Sequence, residues 1–239
     1  RAGLTCVPIA PFFTEAQRRH LLQTAGVDTL IGLPDDGALM REQGFASTSL
    51  GWQRTLFGVG MPSGTAKITF TSGTTGTPKG VCLSAEAMLQ VADSLRDACS
   101  SLNPQQHLIL LPLAVLLDNL GAYTALLNGA SITVPADSGL HGSQLDMPRL
   151  LQVLNHYQPH SLILVPQLLQ ALLQAADAGA PLPRSLRFIA VGGGRVAPAL
   201  LDRAKKLSLP VFEGYGLSEC ASVVCLNRPG YQRAGTVGK

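Results

Sequence analysis

Lys67 to Ser84 reads KITFTSGTTGTPKGVCLS. An apolar, β-branched run, Lys67–Thr71, leads into Thr71-Ser72-Gly73-Thr74-Thr75-Gly76-Thr77-Pro78-Lys79-Gly80, and a helix is expected to begin near Ser84. A strand entering a glycine-rich turn with one lysine suits a phosphate. Glycines let backbone N–H groups approach an anion without a β-carbon in the way. The hydroxyls of Thr71, Ser72, Thr74 and Thr75 add donors, and Lys79 adds charge. Hydrogen bonds to charged groups contribute about 1.5–3 kcal/mol each, so a few of them can hold a triphosphate against its hydration. A solvated Ser/Gly/Thr surface loop is the plainer reading, and the single lysine after Pro78 argues against it. A Walker A loop is excluded, because that motif needs Gly before the lysine and Ser or Thr after it, where this chain has Pro78 and Gly80.

Outward from this segment, short β-rich apolar runs alternate with helical stretches, the pattern of an α/β fold with largely parallel sheets. Strands are expected at 28–32, 67–71, 107–111, 131–134, 161–165, 186–191 and 210–212. Helices are expected at 14–25, 84–99, 119–128, 148–157, 167–176 and 198–206. In the first helix Thr14 and Gln17 have capping-box spacing, and Gly26 suits the position after its end. Residues 37–65, rich in Gly, Ser and Thr and without a period, read as a linker. The polar break SSLNPQQ at 100–106 suggests a boundary. The expected organisation is two layered αβ subdomains, 1–102 with the phosphate loop and 103–226, then the start of a third at 227–239, with a cleft near the junction of the first two.

A second glycine cluster, Phe188-Ile189-Ala190-Val191-Gly192-Gly193-Gly194-Arg195-Val196-Ala197, reads as strand, turn and helix start. Gly192, Gly194 and Ala197 satisfy the dinucleotide pattern G-x-G-x-x-A, and Glu213 lies where a ribose-binding acid would belong. An NAD-dependent oxidoreductase is therefore the rival reading. Against it, the cluster sits late in the chain, whereas that fingerprint usually opens its domain.

TSGTTGTPKG resembles the phosphate-loop signature of the acyl-CoA synthetase, luciferase and peptide-synthetase adenylation superfamily at all ten positions. The cluster at 192–194 is similar to that superfamily's glycine turn. Phe212-Glu213-Gly214-Tyr215-Gly216-Leu217-Ser218-Glu219 is similar to its YGxTE motif, with Ser218 in place of threonine. Gly235-Thr236-Val237-Gly238-Lys239 resembles its G-(S/T)-V-G-K turn, and the opening RAGLTCVPIAP resembles its entry segment. The resemblance implies ATP- and Mg²⁺-dependent activation of a carboxylic acid to an acyl-adenylate. Transfer to a thiol would follow, either coenzyme A or the pantetheine of an acyl carrier protein.

By the same resemblance, Thr71, Ser72, Gly73, Thr74, Thr75, Gly76 and Lys79 hold phosphates. Gly193, Gly194, Arg195, Glu213, Gly214, Tyr215 and Gly216 form the nucleoside pocket, with Tyr215 stacked on adenine. Ser218 donates to the α-phosphate and Glu219 helps hold Mg²⁺, an oxygen-seeking ion. Lys79, Ser218 and Glu219 are the implied catalytic residues; Val115, Asn119, Gly193, Gly216 and Leu217 are the implied acyl pocket. The family's hinge, ribose-binding aspartate and C-terminal domain with its lysine are not matched here. An isolated piece of this extent is expected to turn over slowly if at all, and a non-catalytic nucleotide-binding relative stays open.

The segment Leu110 to Asn119, LLPLAVLLDN, fits the family's acyl-pocket segment. Many relatives carry a histidine or aromatic gate where Val115 stands, and amino-acid-activating relatives place an aspartate near Leu116. Asp118 is not an obvious equivalent, so a fatty or aromatic acid is favoured over an amino acid. An ordinary core strand and loop is the plainer reading of that run.

Composition narrows the remaining classes. The chain is 46% hydrophobic and 14% charged, which supplies a core and argues against disorder. The net charge is +3 with dispersed basic residues, so nothing suggests nucleic acid. Five cysteines without zinc-type spacing fit a reducing, cytoplasmic setting. No apolar run approaches the about 20 residues of a membrane span, and no secretory leader is visible. His156 and His160 are separated by Pro159 and read as structural; His20, His107 and His141 are assigned nothing.

Overall fold

The computed structural model describes residues 3–32, 37–55, 59–71, 78–142, 144–233 and 235–238. It forms two compact units, Arg1–Ala85 and Glu86–Lys239.

In the first unit, α1 (Glu15–Thr24) begins with the expected capping box: Thr14 Oγ1 accepts from Gln17 N–H, and Gln17 Oε1 accepts from Thr14 N–H. Gly26 follows at φ +58°, the left-handed conformation that lets the chain leave a helix. The stretch expected as a linker contains regular elements among its described residues: α2 (Gly37–Glu42) and the strands β2 (Ala46–Thr48) and β3 (Gly51–Gln53) lie within it, and β1 (Thr29–Leu30) completes an antiparallel sheet of order β1-β3-β2. Arg54 holds it together. Its guanidinium donates to the carbonyls of Leu22, Val27 and Gln43 at 2.7, 2.8 and 2.8 Å and lies over the Phe45 ring. Leu21, Leu22, Leu30, Leu39, Met40 and Phe45 form the core.

After the glycine-rich segment the structure adds a strand that the sequence did not announce, ahead of the helix expected near Ser84. β4 (Thr65–Thr71) pairs antiparallel with β5 (Lys79–Ser84), with Thr71 opposite Lys79. A strand therefore stands between the loop and α3 (Ala85–Cys99). Gly80-Val81-Cys82-Leu83 is too short and mixed to announce a strand by itself. The ladder offered by β4, whose Ile68 is buried, supplies the partner.

The second unit is built on a six-stranded sheet. Its elements are β6 (Gln106–Leu108), α4 (Leu116–Leu127), β7 (Ser131–Thr133), a short hairpin of β8 (Leu140–His141) and β9 (Gln144–Leu145), α5 (Met147–Tyr157), β10 (Ser161–Leu164), α6 (Pro166–Asp177), β11 (Phe188–Val191), α7 (Pro198–Lys206), β12 (Val211–Tyr215) and β13 (Cys225–Leu226). The order is β13-β12-β11-β10-β6-β7, parallel throughout except for β13. Proline in the first turn of α5, α6 and α7 fits a position whose N–H has no helical partner.

Strand alternation divides the sheet into two faces. Leu162, Leu164, Ile189 and Val191 enter the main core with Leu150, Leu154, Leu169 and Leu173 from α5 and α6. At roughly 1.5–3 kcal/mol per buried leucine side chain, this face carries much of the unit's stability. Ser161, Phe188 and Ala190 point to the opposite face, towards α4 and the end of α3. The polar break at 100–106 and α3 from Glu86 onward lie inside this unit, so the compact units divide earlier than the boundary expected after residue 102. No helix among the described residues is long and apolar enough to cross a membrane.

Candidate functional site

A cavity of about 250 Å³ opens in the second unit between α4 and the sheet. Its mouth is formed by Gly192, Gly193 and Gly214 to Ser218, at the C-terminal ends of β11 and β12. That is where open α/β sheets bind ligands, because the strands end there and the loops diverge. From the mouth it runs along α4 past Leu117, Gly121, Thr124 and Ala125 to Asn128. Leu117 to Asn128 is eleven residues, or roughly 16 Å at about 1.5 Å per residue.

The glycines are required by close approach. A β-carbon on Gly216 would lie 1.4 Å from the Ser222 carbonyl oxygen. On Gly121 it would lie 2.5 Å from Ile163 Cδ1 and 3.0 Å from His107 Nε2, so α4 rests directly on the sheet there. The turn after β12 is tightly bonded: Cys220 and Ser222 N–H both donate to Leu217 O, and Val224 N–H donates to Tyr215 O. Ala221 and Ser222 hold φ of +54° and +90°, a cost for residues with side chains that such sites often carry.

Of the residues expected from sequence, Val115, Gly193, Gly214, Tyr215, Gly216, Leu217 and Ser218 line this cavity. Tyr215 is 46% exposed at its mouth, open to stacking. Gly194, Arg195, Glu213, Asn119 and Glu219 do not line it. Glu213 departs furthest from expectation. Its neighbours Phe212 and Gly214 take one face of β12, so Glu213 takes the other, where its carboxylate accepts the Val196 N–H ahead of α7. Burial pushes that carboxyl up from the usual carboxylate range, against the lowering effect of the Val196 bond.

The NAD reading fails at the same place, since the acid that would bind a ribose is turned away from the Gly192 cavity. β11 is moreover the fourth strand in chain order within its sheet and not the opening strand of a dinucleotide-binding unit.

Ser72, Gly73, Thr74, Thr75 and Gly76 lie outside the described residues. Thr71 ends β4 and Lys79 begins β5 with its side chain exposed. Next to it, the Pro78 carbonyl accepts from His20 Nε2–H at 2.9 Å, which gives His20 a role no sequence signal suggested. Glu219 is exposed on a 3-10 turn, Ser218–Cys220. No cluster of three or more His, Cys, Asp or Glu suited to a metal occurs among the described residues. One free carboxylate fits Mg²⁺ that arrives already coordinated by phosphates and water, the usual habit of that ion.

Two further constellations escaped sequence reading. Asn227 is buried; its side chain donates to Glu213 O and Thr236 O and accepts from Arg233 N–H, tying Arg233 and Thr236 to β12. His107 and Ser161 line the cavity 3.0 Å apart, and His107 is backed by Asp118.

Comparison with known proteins agrees with this arrangement. The chain is similar to the 2-succinylbenzoate–CoA ligase of Bacillus licheniformis, 31% identical over 182 residues that cover 73% of this chain and 35% of the relative. Among solved structures it resembles the O-succinylbenzoate coenzyme A synthetase of Bacillus subtilis in complex with ATP and magnesium ion. There the TM-score is 0.71 at 22% identity, over 99% of this chain and 50% of that one. It also resembles an anthranilate CoA ligase in complex with anthranoyl-AMP, with TM-score 0.79 at 18% identity over 99% and 49%. The chain spans about a third to a half of these proteins' length. The family described as AMP-binding enzyme matches residues 1–239 from end to end, and the α/β unit with a glycine-rimmed cavity at its strand ends is accordingly that of a member of the AMP-binding enzyme family.

Proposed function

We propose that this chain serves the ATP- and Mg²⁺-dependent activation of a carboxylic acid to an acyl-adenylate, with the acyl group then passed to the thiol of coenzyme A or of a carrier-protein pantetheine. The observation that carries the reading is the cavity in the second unit. Its glycine-built mouth bears Tyr215 and Ser218, and its apolar body runs back along α4. A flat base suits the mouth, and the body of an acid suits the apolar tail.

In the reaction, a substrate carboxylate oxygen attacks the α-phosphorus of ATP. The bond from that phosphorus to the bridging oxygen breaks, and pyrophosphate leaves with the electron pair. The protein's work is positioning and neutralising charge. The Thr71–Lys79 segment is assigned to the β- and γ-phosphates, the Ser218 hydroxyl to the α-phosphate, Glu219 to Mg²⁺ and Tyr215 to the base. Mg²⁺ supplies charge neutralisation on the phosphate oxygens. Gly193, Gly216 and Leu217 hold the acid at the mouth and Val115 lines its path.

The acid is proposed to be aromatic rather than fatty, because the relatives are named for succinylbenzoate and anthranilate. The test is acid-dependent ATP–pyrophosphate exchange by the full-length protein across aromatic and fatty acids. Exchange with an aromatic acid is expected. Nucleotide binding without exchange for any acid would instead establish a non-catalytic relative.

A further inference from the structure

We infer that His107 and Ser161, set by Asp118, form a hydrogen-bond-accepting station inside the acyl cavity that selects acids carrying a hydroxyl or amino group away from the carboxylate. The inference rests on the reading of this cavity as the acyl pocket and names the class of acid it takes.

Asp118 is fully buried on α4. Its Oδ2 accepts the N–H groups of Leu110 and Leu111 at 3.1 and 2.8 Å, which fixes the carboxylate. Its Oδ1 faces His107 Nε2 at 3.4 Å, the long end of a hydrogen bond. A carboxylate only accepts, so in the neutral imidazole the proton belongs on Nε2 and Nδ1 is left with its lone pair. Ser161 Oγ lies 3.0 Å from Nδ1 and donates to it when the imidazole is neutral. The network thus has one polarity, running from Ser161 through His107 to Asp118. The Ser161 oxygen has given away its only proton and retains lone pairs.

Both Ser161 and His107 line the cavity, whereas Asp118 stands behind them. The nearby walls are mostly apolar, with Leu116, Leu117, Ile163, Ala190 and Val191 among them. The polar Thr124, Asn128 and Arg96 also line the cavity. Gly121 keeps α4 free of a side chain where His107 Nε2 approaches it. The station is set back from the mouth: Gly121 is four residues from Leu117, roughly 6 Å along the helix. Ser161 is four residues from Val165, roughly 13 Å along the strand. An acid reaching this depth with a plain hydrocarbon end leaves the serine lone pairs unsatisfied. A group that only accepts sets lone pair against lone pair. A hydroxyl or a neutral amine completes the chain. Sites built to bond a substrate hydroxyl reject the analogue that lacks it far more strongly than apolar pockets sort by size.

The experiment measures pyrophosphate exchange by the full-length protein with two matched series. One is phenylpropanoic, para-hydroxyphenylpropanoic, para-aminophenylpropanoic and para-nitrophenylpropanoic acids; the other is decanoic and ω-hydroxydecanoic acids. The expected result is a kcat/KM about tenfold or more higher for the hydroxy or amino member of at least one series than for its plain and nitro counterparts. In Ser161→Ala that ratio falls towards one. Should the variant not fold, the wild-type ranking decides alone. Equal rates, or preference for the plain or nitro acid, overturn the inference and leave acid activation standing. A preference that survives Ser161→Ala overturns the assignment to Ser161. Absence of exchange with every acid overturns the underlying function, and the inference with it.

Discussion

Gly216 and Ser222 meet so closely that a β-carbon on the glycine would stand 1.4 Å from the serine carbonyl oxygen. The turn that rims the cavity therefore exists only with glycine at 216. Gly216→Ala has to displace backbone held by the Leu217–Ser222 hydrogen bond. The expected cost is about 2–4 kcal/mol of stability together with a large loss of exchange activity. Thermal unfolding and pyrophosphate exchange of the full-length variant check both. A variant with unchanged activity would show that this turn does not shape the site.

Asp118 satisfies two buried backbone donors that no other side chain reaches among the described residues. Asp118→Ala strands the N–H groups of Leu110 and Leu111, each at about 1–3 kcal/mol. Asp118→Asn, which keeps an acceptor oxygen, is expected to cost less. Asp93, exposed and paired with Arg96 on the surface, supplies the control: Asp93→Ala stays within about 0.5 kcal/mol. Urea denaturation midpoints should rank Asp118→Ala lowest, then Asp118→Asn, then Asp93→Ala.

Lys79 is expected to act on the nucleotide and not on the acid. A charge-assisted hydrogen bond of about 1.5–3 kcal/mol corresponds to roughly a ten- to hundredfold change in affinity. Lys79→Ala should therefore raise the KM for ATP by about that factor, with a much smaller effect on the KM for the acid. Steady-state kinetics with each substrate varied in turn separate the two. A change confined to the acid would refute the assignment.

Cys99, buried against Phe188 and Phe212, has its thiol pushed by burial from 9.0 up to about 12. The unfolded chain loses this proton first, so the contribution to stability is whole below pH 9.0 and disappears as pH rises towards about 12. Two measurements check this. Near pH 8 the thiol of Cys99 should resist iodoacetamide while the exposed Cys220 and Cys225 are labelled. The fall in unfolding midpoint above pH 9.0 should also be shallower in Cys99→Ala than in the native protein.

Much was legible from residue order alone, because it rests on short-range physics. Periodicity located α1, α3, α5, α6 and α7, and the capping box at Thr14 and Gln17 closed as its spacing foretold. Apolar β-branched runs located the parallel strands, and the turns at Gly192 and Tyr215–Ser218 lie at one cavity mouth. Long-range contacts decided the rest. Residues 37–65 read as linker because the order of 37–55 depends on Arg54 reaching carbonyls at 22, 27 and 43, which no local pattern encodes. Glu213 looked like a ligand residue until strand alternation turned it towards Val196. His107, Asp118 and Ser161 read singly as an isolated histidine, a helix acid and a strand serine. Only the pairing of β6 beside β10, with α4 laid across them at Gly121, sets their polar atoms in one line. Hydrogen bonds between residues tens of positions apart depend on where the sheet folds them, and that is a property of the tertiary structure.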